Sequence, residues 1–69
     1  MYQMMYKTEG LSPTYMDVCK TEESKDEFLK NRELLARGMD FYTKRDGDTL
    51  ILYTKNEEFG RYYVDNTSD

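Results

Sequence analysis

The stretch TEESKDEFLKNRELLARGMDFYTKRDGDTLILYT, residues 21–54, decides the fold, because its hydrophobic period switches midway from helical to extended. Thr21 suits an N-cap, and Glu22 and Glu23 follow in the first turn, where carboxylates meet the positive end of the helix dipole. Ser24 with Glu27 offers a second capping box one turn later. Arg37 falls in the last turn and Gly38 follows as the expected C′ stop. Asp26 with Lys30, and Glu33 with Arg37, are acid-before-base pairs at i,i+4, each worth roughly 0.2–0.5 kcal/mol. These signals predict a helix from about Glu22 to Arg37. With ~100° per residue and Phe28 at zero, Leu35 falls at about -20°, Ala36 at about 80° and Leu29 at about 100°, one apolar stripe. Leu34 falls at about -120°, off that stripe, either as a solvated leucine or as a contact for a partner chain or the N-terminal segment.

Past Gly38 the pattern alternates. Asp46-Gly47 between the runs Met39 to Arg45 and Asp48 to Thr54 predicts a hairpin with a two-residue type I′ turn. That closure pairs Arg45 with Asp48, Thr43 with Leu50, Phe41 with Leu52 and Met39 with Thr54 on one face. It pairs Lys44 with Thr49, Tyr42 with Ile51 and Asp40 with Tyr53 on the other. A one-residue slip would exchange the faces. Phe59 to Val64 reads as a last strand after Lys55-Asn56-Glu57-Glu58. A four-residue loop there pairs Ile51 with Tyr62 and places Phe59 and Tyr63 on the Phe41/Leu52 face; a five-residue loop reverses this. The first is preferred because it buries Phe59.

Upstream, Tyr2 to Lys7 and Tyr15 to Cys19 read as two strands around a turn marked by Gly10 and Ser12-Pro13. The order is strand, strand, helix, strand, strand, strand. One helix with one apolar stripe covers one face of a sheet, which predicts an α+β domain with a mainly antiparallel sheet. Residues 1–64 form that single domain, and Asp65 to Asp69 are expected to fray. The expected core is Met16, Val18, Phe28, Leu29, Leu35, Met39, Phe41, Leu50 and Leu52.

Composition bounds the function. The chain has 69 residues and a net charge of -4, too short for a two-domain enzyme. Its 7 Tyr and 3 Phe argue against disorder despite a charged fraction of 35%. With 1 Cys and no His, neither an internal disulfide nor a Cys/His zinc site can staple so small a core, which leaves self-association as the expected compensation. A lone Cys19 and no long apolar run point to a cytoplasmic protein without a membrane partner.

The missing histidine also excludes imidazole-based triads and Cys–His nucleophile pairs. The glycines are isolated, so no phosphate-cradling loop exists. Asp46-Gly47-Asp48 resembles half of a calcium loop, but the turn explains it fully. The adjacent acids Glu22/Glu23 and Glu57/Glu58 read as solvated carboxylates rather than an acid/base pair. Cys19 reads as a core thiol; activation by the neighbouring helix start is the alternative. No enzyme activity, cofactor or metal is expected.

Duplex nucleic acid is disfavoured as a partner, because phosphate binding needs clustered Lys and Arg. Acidic mimicry of nucleic acid by Glu22, Glu23, Asp26, Glu27, Glu57 and Glu58 stands beside the plainer reading of a solvated face. If the helix covers Phe41, Leu50 and Leu52, then Tyr42, Ile51 and Tyr53 lie uncovered, with Tyr62 beside Ile51. Such an aromatic strip with hydroxyl tips suits partner recognition. The expected site is therefore Tyr42, Ile51, Tyr53, Tyr62 and Leu34, and the partner another protein, a second copy included. In length, composition and lack of enzyme motifs the chain resembles small bacteriophage and mobile-element proteins of low-GC bacteria. That resemblance implies inhibition of a host or defence component by binding, and carries no residue assignments. A nucleotide-capturing oligomer and a structural subunit are the alternatives.

Overall fold

The computed structural model describes residues 1–65; of the tail expected to fray, Asp65 instead ends a strand and pairs with Gln3, and residues 66–69 lie outside the described residues. Strands β1 (Tyr2–Thr8) and β2 (Thr14–Cys19) precede helix α1 (Glu22–Gly38); β3 (Tyr42–Asp46), β4 (Thr49–Thr54) and β5 (Glu57–Asp65) follow. The five strands form one antiparallel sheet in the order β2-β1-β5-β4-β3, so the chain is α+β, as its periodicity predicts. Three hairpins join sequence neighbours, and the pairing of β1 with β5 closes the sheet between its two ends. Both edge strands flank the helix in sequence. The helix, about 25 Å long at 1.5 Å per residue, therefore crosses one face from β2 to β3.

Local chemistry sets the ends of that helix. Thr21 is the N-cap: its hydroxyl accepts from the Ser24 amide at 3.1 Å, and Ser24 Oγ accepts from the Thr21 amide at 3.2 Å. The capping box thus starts at Thr21, and the Ser24–Glu27 alternative is not used. At the other end Gly38 remains helical, and Asp40 takes the left-handed conformation at φ 69°. The Phe41 amide donates to Ala36 O at 3.0 Å and the Asp40 amide to Arg37 O at 3.1 Å, the pattern of a Schellman motif with Asp40 at C′. The stop therefore comes two residues later than the glycine suggests. Of the two expected ion pairs, Glu33–Arg37 forms at 2.9 Å; Asp26 turns instead toward Lys25 and Arg45.

Both hairpins after the helix differ from expectation in register. Asp46 pairs with Thr49, so the turn is Gly47-Asp48 and only Gly47 has positive φ, at 59°. That is the type II′ pattern, with glycine at the first central position. The slip is by two residues, so faces are preserved: Tyr42 now opposes Tyr53, and Thr43 opposes Leu52. Thr54 pairs with Glu57, leaving Lys55-Asn56 as the loop, shorter than either expected length. A bulge between Leu52 and Tyr53 on the one side and Glu58 to Gly60 on the other then inserts one residue. Beyond it Leu50 opposes Tyr62 and Ile51 opposes Arg61.

The core lies between α1 and the sheet: Met4, Cys19, Leu29, Ala36, Leu50 and Leu52 are buried, and Met16, Phe28, Phe41, Tyr62 and Val64 pack around them. Leu35 and Met39, expected in the core, are 59% and 71% exposed. The reason is Lys25, which is 2% exposed and occupies the stripe one turn before Leu29. The buried arc runs Lys25, Leu29, Ala36, which rotates Leu35 to the margin and leaves Met39 beyond the helix end. Val18 is half-buried and pairs with Gln3, not with the helix-facing residues.

Candidate functional site

The helix covers one sheet face only. On the other, three rows of cross-strand partners carry the aromatic and cationic side chains. Tyr15, Met5 and Tyr63 share a row across β2, β1 and β5. Lys44, Ile51, Arg61 and Lys7 share the next, across β3, β4, β5 and β1. Tyr42 and Tyr53 oppose each other in the third, next to Glu58. Tyr42 is 67% exposed, whereas Ile51 is buried by its neighbours, so the surface is a ring of tyrosines and cations around one aliphatic centre. Arg61 is fixed there by a bidentate pair with Glu58, at 2.8 and 2.7 Å. The Arg61 guanidinium holds the Glu58 carboxyl below the usual carboxylate range, and Glu58 in turn raises Arg61.

Three of the expected site residues, Tyr42, Ile51 and Tyr53, therefore share one face. Tyr62 does not: the bulge turns it under the helix, where its ring lies 4.6 Å from Tyr6 and 6.2 Å from Phe28. Its place on the open face is taken by Arg61 and Tyr63, each partly exposed. Leu34 projects from the exposed side of α1 and is not part of the sheet surface. Tyr15, Tyr63 and Arg61 were missed because their facing depends on two bulges, one in β1/β2 and one in β4/β5, and Lys7 because the docking of β1 beside β5 is not readable from residue order. No local residue pattern announces either bulge.

Lys25 and Cys19, two chemistry-bearing groups outside this face, are engaged structurally. Lys25 Nζ lies 2.8 Å from Asp48, 3.3 Å from Glu22 and 3.9 Å from Asp26, and 4.8 Å over the Tyr2 ring. Its bond to Asp48 raises the ammonium above the ordinary lysine range, with burial opposing. The Cys19 thiol is buried; burial first, and Asp17 second, push it up, while a hydrogen bond with Ser24 opposes them. A raised thiol holds little thiolate near neutral pH, so the helix N-terminus does not activate it. Among the described residues no cluster of three Cys, Asp or Glu has metal-holding geometry, and no helix is long and apolar enough to cross a membrane.

Comparison with known proteins finds no match to this chain among family models, curated proteins or solved structures.

Proposed function

We propose that this chain is a small non-catalytic binding module that acts by contact with another protein, through the uncovered sheet face. The observation that carries the reading is the pairing of Tyr42 with Tyr53 beside Ile51 on a sheet surface that no element among the described residues covers. Tyrosine buries a large area with few rotatable bonds and keeps a hydroxyl for hydrogen bonding. The row of Lys44, Arg61 and Lys7, between the two tyrosine rows, adds cationic hydrogen-bond donors to the aromatic surface. A face of this kind is available to a foreign protein and to a second copy. Inhibition of a host or defence component is the biological role that the chain's compositional likeness to bacteriophage proteins favours.

The test is affinity capture from the native host, with the eluate examined for both proteins and small molecules, using the wild-type chain and the Tyr42→Ser/Tyr53→Ser variant. A protein that copurifies stoichiometrically with the wild type and is lost with the variant supports the reading. A tightly bound nucleotide, or capture unaffected by the double substitution, would sink it. A bound nucleotide would favour ligand capture between subunits, and large regular assemblies a structural subunit.

A further inference from the structure

A second surface lies on the opposite layer, at the C-terminal end of α1. There a groove of about 270 Å³ lies between the helix and the sheet. Leu35 and Met39 form its helix side, and Phe41, Phe59 and Leu52 its sheet side. The Phe41 and Phe59 rings meet in a tilted contact with centroids 4.9 Å apart, yet Phe59 is 45% exposed. Three large apolar side chains, Leu35, Met39 and Phe59, thus face solvent around one concavity in a chain whose charged fraction is 35%. Solitary exposed hydrophobics need no explanation, but a concave cluster of them does.

The groove has a single charged lining residue, Arg32. Its guanidinium lies 5.0 Å over the Phe28 ring and 5.6 Å over the Tyr62 ring. Among the described residues it has neither a carboxylate within salt-bridge distance nor a hydrogen-bond acceptor, whereas Arg37, Arg45 and Arg61 each have both. No carboxylate lines the groove, although acids outnumber bases in the chain by 14 to 10. The two aromatic contacts hold the guanidinium, and its N–H groups have no acceptor among the described residues, which suits them to carboxylate recognition. The volume lies just under the roughly 300–1,000 Å³ of small-molecule sites, so the groove fits side chains rather than a whole cofactor.

We infer that this groove binds a short segment of a partner protein that carries a large apolar side chain next to a carboxylate. The apolar side chain fills the space between Met39, Leu35 and the Phe41/Phe59 pair, and the carboxylate pairs with the Arg32 guanidinium. The site is separate from the uncovered sheet face and stands whether or not that face binds protein.

The probe is a fluorescein-labelled heptapeptide, Gly-Ser-Asp-Leu-Phe-Glu-Gly, titrated by anisotropy against the whole chain. Two control peptides replace the acids with lysine or the Leu-Phe pair with alanine. The expected result is saturable binding of the first peptide alone. Arg32→Gln should weaken it by roughly tenfold, the loss of one charge-assisted contact. Met39→Ser should weaken it comparably with no effect on folding, since Met39 is mostly exposed. The Tyr42→Ser/Tyr53→Ser variant should bind as the wild type does. Equal binding of the lysine peptide, no binding up to millimolar protein, or unchanged affinity in a folded Arg32→Gln or Met39→Ser chain would overturn the inference. So would sedimentation showing that Met39→Ser dissociates a dimer, since the occupant would then be a second copy.

Discussion

Lys25 stands where the helix stripe calls for an apolar residue, and its surroundings explain why it is tolerated. The four-carbon stem fills core space while the ammonium reaches Asp48 in the Gly47-Asp48 turn and Glu22 in its own first turn. The contact ties the start of α1 to the β3–β4 turn. Removing one partner of such a pair costs more than the pair itself contributes, because it leaves a buried charge. Asp48→Asn should therefore destabilise by about 1–2 kcal/mol, discounted for the half-exposed carboxylate, while Lys25→Met should be near neutral. Urea midpoints for both variants measure this; equal losses would refute it. The pH dependence follows from the raised folded pKa of Lys25. Its stabilisation is complete below the unfolded value of about 10.4 and is lost as pH rises through the folded value. Lys25→Met should remove that alkaline loss. Glu58 behaves oppositely: its folded pKa is depressed by Arg61, so its small contribution is present above about 4.3 and fades as pH falls through the folded value. Asp40 is a second residue out of type. It adopts φ 69° at C′ and puts a negative charge at the negative end of the helix. Asp40→Gly relieves both penalties and should stabilise by about 1 kcal/mol, Asp40→Asn by about half as much. A lowered urea midpoint for either would show that the carboxylate makes a compensating contact.

Among the elements, β5 sets the character of both surfaces. Without its bulge, the Lys55-Asn56 turn would carry Arg61 toward the helix and Tyr62 toward the open face. With the extra residue, Tyr62 and Val64 enter the core, while Arg61 and Tyr63 join the uncovered face. Gly60 makes the crossing possible. A Cβ there would lie 2.7 Å from the Tyr6 hydroxyl and 3.0 Å from the Lys7 carbonyl oxygen. Tyr6 is pinned by its ring contact with Tyr62, so it has little room to withdraw. Gly60→Ala should cost about 1–3 kcal/mol through this overpacking. Tyr6→Phe, which removes the nearest clashing atom, should recover part of the loss in the double variant, leaving the Lys7 carbonyl clash. Thermal melts of the four chains form the cycle; strict additivity would show that the clash is relieved elsewhere. The turn before β5 carries strain of its own, with Lys55 at φ 55°. Glycine at that position should raise stability by roughly 0.5–1 kcal/mol.

For the whole molecule the decisive fact is a sheet of five strands under one helix of 17 residues. Among the described residues one face of the sheet has no covering layer, and a domain of this size gains little margin from its core alone. A homodimer or higher oligomer at micromolar concentration is the expected outcome, with the tyrosine face as the seam. Sedimentation velocity should show a species heavier than 8.3 kDa that dissociates in the Tyr42→Ser/Tyr53→Ser variant. A stable monomer across that range would assign the face to a foreign partner alone.

The element order, the helix N-terminus at Thr21 and the membership of Tyr42, Ile51 and Tyr53 in one face were legible from residue types. They depend on short-range chemistry: capping, period and the alternation of a hairpin, which survives a two-residue slip. The side taken by Tyr62, the exposure of Leu35 and Met39, and the groove at Arg32 depend on groups distant in sequence. A bulge is chosen by what the strand must bury, and Lys25 enters the core because Asp48, 23 residues later, meets it there. Those choices are made by packing between layers, which residue order alone does not express.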